Sequence, residues 1–310
     1  MSRYVLGGGI SGLLWAFYHP DYEVLTDQVG RVITGADAVV WLNDTDLTRG
    51  LIVDLGFKVI TVKKKIGYLS GGQLIRYDQL MDRDLNDLLL KKMVPWEAID
   101  LARRSGVEMT VRTPRRAFTK DSGSIRYLDV DVQEVGRRLM SAVGGQLKVG
   151  CRVAHVNEVS IETLNMKLAY DHVVSTLPAP VFARLWNGHA WVAPPHLHYC
   201  PVTFVISRQM SDYWPGDEYA MVYDADLGSR VSRVGRFGET WRYEITGRVD
   251  DEVAAEYFPV DGGIFVNPFG RIVQDVMLEP PPKITFLGRS ATWDHRGLID
   301  VVLERVHGNR

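Results

Sequence analysis

The chain has 310 residues, of which 46% are hydrophobic and 24% are charged, and its formal net charge is −2. This length accommodates two lobes, and the composition excludes a disordered chain, a fibrous chain and a chain that is basic throughout. Cys151 and Cys200 form neither a CxxC pair nor a metal-ligand spacing, so we expect a reducing compartment and no metal site. The sequence has no signal-peptide pattern and no run of 18 apolar residues, which predicts a soluble, cytoplasmic protein with no membrane partner.

The first thirty residues have the pattern of a strand, a glycine-rich turn, a helix and a second strand. Tyr4–Leu6 is an apolar run of the kind buried in parallel sheets, residues 13–18 predict a helix, and Tyr22–Thr26 predicts the second strand. A GxGxxG sequence lies between the first strand and the helix, and an acidic residue ends the second strand. This order of elements predicts a βαβ dinucleotide-binding site, whereas a glycine-rich turn without a ligand is the alternative.

Each residue type in this segment has a physical role at a dinucleotide. Gly7 permits a tight turn, Gly9 lets the backbone approach a pyrophosphate at the helix N-terminus, and Gly12 lets helix and strand pack closely. Asp27 can accept hydrogen bonds from the adenosine ribose. The cofactor contacts predicted in this segment are Gly7, Gly9, Ile10, Ser11, Gly12, Asp27, Gln28 and Arg31.

The C-terminal segment distinguishes FAD from NAD. Residues 283–287 predict a strand, Gly288 and Arg289 follow it, and residues 298–307 predict a final helix. A turn and a helix N-terminus at this place can bind the second polar end of a long cofactor. FAD needs such a site, because its flavin lies far from its adenine and can carry negative charge near N1 and O2, whereas NAD does not need it. The cofactor contacts predicted here are Gly288, Arg289, Gly297, Leu298 and Ile299.

Three separated blocks resemble one family of flavoproteins. Residues 286–302 resemble the C-terminal FAD motif of UDP-galactopyranose mutases and their amine oxidase-like relatives, which include the protoporphyrinogen oxidase-like proteins. Residues 171–180 are similar to the strand and turn of the same group, which implies a cofactor contact at Thr176. Residues 147–153 resemble the strand that holds the adenine edge, here through Val153.

The resemblance implies an α/β protein with a Rossmann-like FAD-binding domain and an inserted α+β substrate domain. The FAD-binding domain would be discontinuous and consist of residues 1–60, 128–190 and 265–310. The substrate domain would consist of residues 61–127 and 191–264.

Hydrophobic periodicity predicts further elements in and between these blocks. Helical spacing occurs over Val132–Val143, Leu80–Met93 and Trp96–Ser105. Alternation predicts strands over Val202–Ser207 and Thr240–Thr246.

Positive charge is concentrated in one segment. Residues 58–126 contain fifteen Lys and Arg and eight Asp and Glu, a net charge of about +7, so the rest of the chain carries about −9. A basic lobe beside a flavin suggests an anionic small-molecule substrate, and a solvated basic face is the equally weighted alternative. The basic clusters are Lys63–Lys65, Lys91–Lys92, Arg103–Arg104, Arg112 and Arg115–Arg116.

Candidate catalytic residues follow from the resemblance to the mutases, in which two arginines hold a substrate diphosphate. Arg230 or Arg233 resembles the first of these arginines, and a guanidinium suits phosphate because it binds two oxygens at once. The family's tyrosine pair is replaced by Trp293 and His295. The reaction therefore stays open between a mutase and an oxidoreductase.

The oxidoreductase alternative is an amine oxidase-like enzyme, in which aromatic side chains form the walls of the substrate site. His295 could accept a proton there, because histidine titrates near neutral pH. A nucleotide-linked or nucleic acid-linked substrate is a further alternative, as is a non-catalytic flavin-binding or scaffold protein. The sequence indicates no oligomeric state. The candidate aromatic residues are Trp41, Trp214, Trp241 and Trp293.

Overall fold

The structure is a computed structural model of the chain. It describes residues 2–27, 41–111, 123–189, 191, 197–209, 215–237, 239–257, 262–272, 278–292 and 298–308. The chain divides into two compact units. The first unit comprises Met1–Thr61, Tyr127–Leu197 and Gln274–Arg310, and the second comprises Val62–Arg126 and His198–Val273. The FAD-binding domain and the substrate domain that the sequence predicts, with their boundaries and binding roles, stay predictions.

The helices and strands alternate along much of the chain. The helices are α1 (Ile10–Tyr18), α2 (Asp46–Asp54), α3 (Asp82–Met93), α4 (Trp96–Arg104), α5 (Val132–Ala142), α6 (Ala179–Leu185), α7 (Asp251–Tyr257), α8 (Arg289–Thr292) and α9 (Leu298–Gly308). The strands are β1 (Arg3–Leu6), β2 (Glu23–Thr26), β3 (Leu42–Asn43), β4 (Thr61–Ser70), β5 (Gln73–Ile75), β6 (Ser124–Leu128), β7 (Leu147–Val149), β8 (Val153–Val156), β9 (Ser160–Thr163), β10 (Lys167–Ala169), β11 (His172–Ser175), β12 (Tyr199–Ser207), β13 (Tyr219–Asp224), β14 (Val231–Phe237), β15 (Thr240–Thr246), β16 (Gly263–Ile272) and β17 (Ile284–Phe286).

The first unit contains a parallel five-stranded sheet in the order β17-β11-β1-β2-β7. Strand β1 has β2, the next strand in sequence, on one side and β11 on the other. Ligands of open α/β sheets bind at the carboxyl ends of the strands where the strand order reverses in this way. A ligand site of this unit is therefore expected at the carboxyl edge beside β1.

Apolar side chains cover both faces of this sheet, as expected for short apolar strands in a parallel sheet. Val5 and Val24 point into a core built with α1, α2, α5 and α9. Leu6 and Leu25 point into a second core on the opposite face, which includes Phe182 of α6. Burial of one such aliphatic side chain contributes roughly 1.5–3 kcal/mol, so these two layers hold the strand ends in place.

The predicted strand over residues 147–153 is wrong in its extent. Strand β7 ends at Val149, and Gly150 follows with a φ of +77°, which turns the chain away from the parallel sheet. Val153 instead begins β8, which belongs to a separate antiparallel sheet in the order β10-β9-β8. The apolar pattern of the sequence continues beyond Gly150, so it did not reveal that the strand ends before this glycine turn.

In the second unit, six strands follow one another in the order β16-β12-β15-β14-β13-β4, and β5 pairs with β4. Neighbouring strands are antiparallel except for β13 and β4, which are parallel. One face of this sheet carries an apolar core that includes Val205, Val222, Val234 and Tyr243. The long strand β4 was not predicted from the sequence, because Lys63–Lys65 interrupt its apolar pattern.

Across the described ranges, no helix is long and apolar enough to cross a membrane. Within the same ranges, no group of three or more His, Cys, Asp or Glu side chains is arranged to hold a metal ion. Cys151 and Cys200 are both buried and are not joined in a disulfide.

Candidate functional site

Three strands of the first unit end at the same level of the sheet. Leu6 of β1 lies beside Ser175 of β11, and Ser175 lies beside Phe286 of β17. Two of the predicted cofactor residues, Gly7 and Thr176, directly follow the first two of these strands. The fold therefore brings segments that are distant in sequence together at one carboxyl edge.

Helix α1 begins at this edge with an open N-terminus. Gly9 is its N-cap, no side chain caps the helix, and its first turn contains no acidic residue. A Cβ atom added to Gly9 would have no heavy atom of the described residues within 4 Å, so the space beside the helix N-terminus is open in the part of the chain that the structure describes. Backbone N–H groups at such an end can bind an anion, because the helix dipole favours negative charge there.

The other glycines of the motif are tightly packed. A Cβ atom on Gly12 would lie 2.1 Å from the carbonyl oxygen of Gly7, and one on Gly8 would lie 2.7 Å from Oγ1 of Thr26. Gly7 itself has a φ of +105°, which favours glycine. These three positions bring α1 close to β1 and β2, and the close approach at Gly8 was not predicted from the sequence.

Thr176 holds the end of β1 rather than pointing away from it. Its Oγ1 donates a hydrogen bond to the carbonyl oxygen of Leu6 at 2.9 Å and lies 3.3 Å from that of Gly7. Its backbone N–H donates to the Leu6 carbonyl oxygen at 3.0 Å. In this structure Thr176 positions the glycine turn.

The remaining cofactor candidates near β2 have different placements. Asp27 follows β2 and is exposed, as a ribose ligand would need to be. Val153 lies at the start of β8, outside the parallel sheet. Gln28 and Arg31 lie outside the described residues.

The C-terminal candidates surround a glycine turn and two helices. Gly288 has a φ of +87°, and its carbonyl oxygen accepts hydrogen bonds from the backbone of Ala291 and from Oγ1 of Thr292 at 3.0 Å each. Ile299 is buried in the core beneath α9. Trp293, His295 and Gly297 lie outside the described residues. The side chains of Arg289 and Leu298 are also not described.

The second unit carries a row of polar and aromatic residues across its sheet. Tyr68 pairs with Tyr223, Tyr223 with Arg233, and Arg233 with Glu244 on successive strands. Directly paired residues point to the same face of a sheet, and the Tyr68 and Tyr223 rings stack at 5.6 Å. This row lies on the sheet face opposite the cluster of Val205, Val222, Val234 and Tyr243, because its residues alternate with those of that cluster. Tyr68 and Tyr223 pack into a second apolar cluster with Leu88 and Ala225.

Glu244 is shared by two arginines. Arg233 donates through Nε to one carboxylate oxygen, and Arg271 donates through Nε to the other at 3.1 Å. Burial raises the pKa of Glu244, but Arg233 and Arg271 outweigh burial and lower it to about 2. The same two charges keep the carboxylate ionised, so the sheet face holds an Arg–Glu–Arg arrangement that was not predicted.

The basic cluster predicted at Lys91–Lys92 does not reach the surface at Lys91. Its side chain is fully buried, and Nζ donates to the carbonyl oxygens of Asp224 and Val231 at 2.9 and 2.7 Å. Burial is the main cause that lowers the Lys91 pKa to about 8, and the Asp224 carboxylate at 3.5 Å opposes this shift. The carbonyl oxygens of Asp224 and Val231 satisfy the buried ammonium group.

The two arginine candidates have different surroundings. Arg230 lies with its guanidinium carbon 5.5 Å from the ring centre of Trp96, whereas Arg233 is bound to Glu244. Among the aromatic candidates, Trp241 is buried in the core of the second unit, and Trp41 stacks on Tyr127 at 5.7 Å. Trp214 lies outside the described residues.

Comparison with known proteins gives structural matches only. No family model matches the chain, and no curated protein matches it in sequence. The structure of reduced UDP-galactopyranose mutase matches with a TM-score of 0.61 and 11% identity, over 100% of this chain and 94% of that one. Cyclohexylamine oxidase from Brevibacterium oxydans IH-35A matches with a TM-score of 0.61 and 13% identity, over 99% and 97%.

A putrescine oxidase variant with redesigned cofactor binding matches with a TM-score of 0.56 and 14% identity, over 99% of this chain and 98% of that one. These similarities cover nearly the full length of each chain, and the identities are too low to transfer an activity. The predicted fold class is confirmed: the chain has the fold shared by UDP-galactopyranose mutase and the amine oxidases.

Proposed function

We propose that the chain binds FAD at the carboxyl edge of the parallel sheet. The observation that supports this most directly is the open space at Gly9 beside the uncapped N-terminus of α1. A pyrophosphate fits this place, because it would accept hydrogen bonds from backbone N–H groups and would need glycine for its close approach.

Described residues near both ends of the proposed site have the chemistry that FAD would need. The backbone of Gly9, Ile10 and Ser11 would hold the pyrophosphate, and Asp27 would accept hydrogen bonds from the ribose. The turn at Gly288 and the N-terminus of α9 would take the flavin end. Bound there, FAD would supply a two-electron acceptor.

A pair of glycine variants tests this binding without disturbing the fold. Gly9→Val fills the open space, and Gly50→Val makes the same change on α2, where an added Cβ would also have no heavy atom within 4 Å. We expect the wild-type chain and Gly50→Val to show the flavin absorption bands and Gly9→Val to lack them, with equal helix content by circular dichroism. Retention of flavin in Gly9→Val would place the cofactor elsewhere.

For the reaction, we propose an amine oxidase-like oxidoreductase that acts on a small or nucleotide-linked anionic substrate. The fold similarity to two amine oxidases supports the oxidoreductase. The net charge of about +7 over residues 58–126 supports an anionic substrate. The chain's own contribution would be to hold the substrate's anionic group and to orient the reacting C–H bond. The protein would act in the cytoplasm.

A flavin-dependent nucleotide-sugar mutase is the second candidate, favoured by the fold similarity to UDP-galactopyranose mutase. Reduction of the flavin and exposure to oxygen separates the two candidates. Rapid reoxidation with release of peroxide supports the oxidoreductase. Conversion of UDP-galactopyranose only in the reduced state, with no net redox turnover, supports the mutase. A flavin-loaded chain with neither activity points to a non-catalytic flavin-binding protein.

A further inference from the structure

The second unit contains a pocket between helices α3 and α4. Its volume is about 660 Å³, which is within the range of sites that bind small organic molecules. Residues of both helices line it together with residues 106–110 and Leu227. Asn86 of α3 holds the segment after α4 in place, because its side chain donates to the carbonyl oxygen of Met109 and accepts from the N–H of Val111, at 3.0 Å each.

The buried part of the lining is apolar. Leu90 of α3 and Ile99 of α4 are each 2% exposed and belong to one hydrophobic cluster, against which Met109 and Leu227 pack. All four residues line the pocket. Such a surface favours an organic molecule with an apolar body, because contact removes apolar area from water.

One carboxylate of the lining, that of Asp87, is largely buried and has few hydrogen-bond partners. Its side chain is 13% exposed, and two nitrogen atoms of the described residues lie near its oxygens. Nδ2 of Asn86 lies at 3.5 Å, the limit of a hydrogen bond, and already donates to Met109. Nε of Arg83 lies at 3.9 Å, too far for a hydrogen bond, on a side chain that is 85% exposed. An ionised carboxylate accepts about four hydrogen bonds, so Asp87 retains acceptor capacity.

The pKa of Asp87 agrees with this incomplete hydrogen bonding. Burial is the main cause that raises it above its ordinary value, and the charge of Asp84 adds to the shift. Arg83, Lys91 and the hydrogen bond from Asn86 oppose the shift without cancelling it. A cation at the carboxylate would compensate for the cost of burying its charge.

The charge of the lining does not favour an anion. Its ionisable residues in the described ranges are three acids and two arginines, a formal charge of −1, namely Asp82, Asp87, Glu108, Arg83 and Arg103. Nη2 of Arg103 also donates to Asp100 at 3.1 Å. The pocket therefore differs from the segment of residues 58–126 as a whole, whose net charge is about +7.

We propose that this pocket binds an organic cation with N–H donors, a protonated amine or a guanidinium group on an apolar body. The cationic group would donate charged hydrogen bonds to the carboxylate of Asp87, and the apolar body would contact Leu90, Ile99 and Leu227. The inference goes beyond the proposed function. Its ligand is opposite in charge to the proposed substrate, and none of the residues of the pocket belongs to the proposed cofactor site.

Calorimetric titration of the full chain at neutral pH with two cations and one neutral molecule tests the pocket. The cations are protonated cumylamine and protonated phenylguanidine, and the neutral molecule is cumyl alcohol, which has the shape of cumylamine. Neither cation has a hydrogen on a saturated carbon next to nitrogen, so a flavin cannot oxidise it there. We expect the tighter cation to bind at least tenfold more tightly than the alcohol, because the alcohol cannot make a charged hydrogen bond.

The tighter of the two cations identifies the group as an ammonium or a guanidinium. Binding of both cations no tighter than that of cumyl alcohol overturns the proposal.

A pair of aspartate variants tests the role of the buried carboxylate. Asp87→Asn keeps the shape of the side chain and removes its charge, and it is expected to weaken binding of the tighter cation at least tenfold. Asp78→Asn, at a side chain that is 67% exposed and outside the lining, is expected to leave this binding unchanged. Unchanged affinity for the cation in folded Asp87→Asn contradicts the proposal.

A pair of alanine variants tests the location, also if Asp87→Asn fails to fold. Ala102 of α4 lines the pocket, whereas Ala98, one helical turn earlier, is exposed and lies outside the lining. Ala102→Phe fills part of the pocket and is expected to weaken binding of the cation at least tenfold, and Ala98→Phe is expected to leave it unchanged. Unchanged binding in folded Ala102→Phe places the cation elsewhere and overturns the proposal.

The dependence of binding on pH gives a further readout. The cation needs the ionised form of Asp87, so its affinity should fall as the pH is lowered through the pKa of this group, which burial places above its ordinary value. In Asp87→Asn this part of the decrease should be absent. Parallel curves for the two proteins contradict the proposal. The other charged groups of the lining and near Asp87 are present in both proteins, namely Asp82, Arg83, Asp84, Lys91, Arg103 and Glu108.

The titrations are made with and without added FAD. A chain that takes up FAD and binds neither cation refutes this pocket alone. A chain that binds the cation and takes up no FAD refutes the cofactor proposal alone.

Discussion

The Cβ position of Gly12 lies 2.1 Å from the carbonyl oxygen of Gly7, whereas the Cβ position of Gly9 has no heavy atom of the described ranges within 4 Å. The three glycines of one short motif therefore have two different tasks. Gly12 and Gly7 allow α1 to pack on β1, and Gly9 leaves space at the helix N-terminus. Substitutions at Gly12 and Gly9 should separate folding from ligand binding.

Gly12→Ala is expected to destabilise the chain by about 3 kcal/mol, because its methyl group would collide with backbone that the core holds in place. Urea unfolding followed by circular dichroism measures this loss as a lower midpoint. The matched change Gly136→Ala on α5, where an added Cβ would meet no atom within 4 Å, is expected to be neutral or stabilising. An unchanged midpoint in Gly12→Ala would mean that the helix and strand do not approach as closely as described.

Thr176→Val is expected to lower stability by about 1 kcal/mol and to weaken FAD binding severalfold, because the hydroxyl would no longer hold the Leu6 carbonyl oxygen. Thr176→Ser keeps the hydroxyl and is expected to keep wild-type FAD affinity. Fluorescence titration with FAD compares the three proteins. Equal affinity of the valine and serine variants would remove Thr176 from the positioning of the turn.

Glu244→Gln is expected to destabilise the chain by about 3–5 kcal/mol, because it leaves Arg233 and Arg271 without their shared carboxylate in a largely buried place. Glu239→Gln, at an exposed position, is the control and is expected to change stability by less than about 0.5 kcal/mol. Thermal unfolding at neutral pH provides the comparison. Equal melting temperatures for both variants would contradict the shared ion pair.

The pH dependence of stability follows from the same carboxylate. The pKa of Glu244 is lowered from 4.5 to about 2 in the folded chain, so the unfolded chain binds its proton first as the pH falls. Its contribution is therefore fully present above about pH 4.5 and is lost as the pH falls towards 2. Urea midpoints measured between these values should fall more steeply for the wild type than for Glu244→Gln, and parallel curves would argue against the shift.

Short-range patterns predicted the parts of the fold that lie close together in sequence. The strand, glycine turn and helix at residues 3–18 follow from local apolar pattern and turn chemistry, and helix α5 follows from its spacing. The start of α1 was predicted three residues late, at residue 13, because Ile10–Gly12 belong to both the turn motif and the helix. Local chemistry accounts for these elements and for the position of Gly9.

Long-range pairings could not be predicted from local patterns. Glu244 was visible only as an acidic residue in an alternating strand, and Arg271, which binds it from β16, gave no signal of its own. The sequence shows Lys91 only as one of two adjacent basic residues. No residue near it in sequence indicates its contacts with Asp224 and Val231, which lie more than 130 residues away. Sheet order decides these contacts, and a single sequence does not specify sheet order.

FAD binding at the cofactor site of the first unit is the central proposal for this chain. The most direct test is a fluorescence titration of the cofactor-free, folded chain with FAD, in the presence and absence of excess NAD. We predict quenching of the flavin that saturates at one FAD per chain, that excess NAD does not displace, and that Gly9→Val abolishes. A folded wild-type chain that takes up no FAD would contradict the central claim.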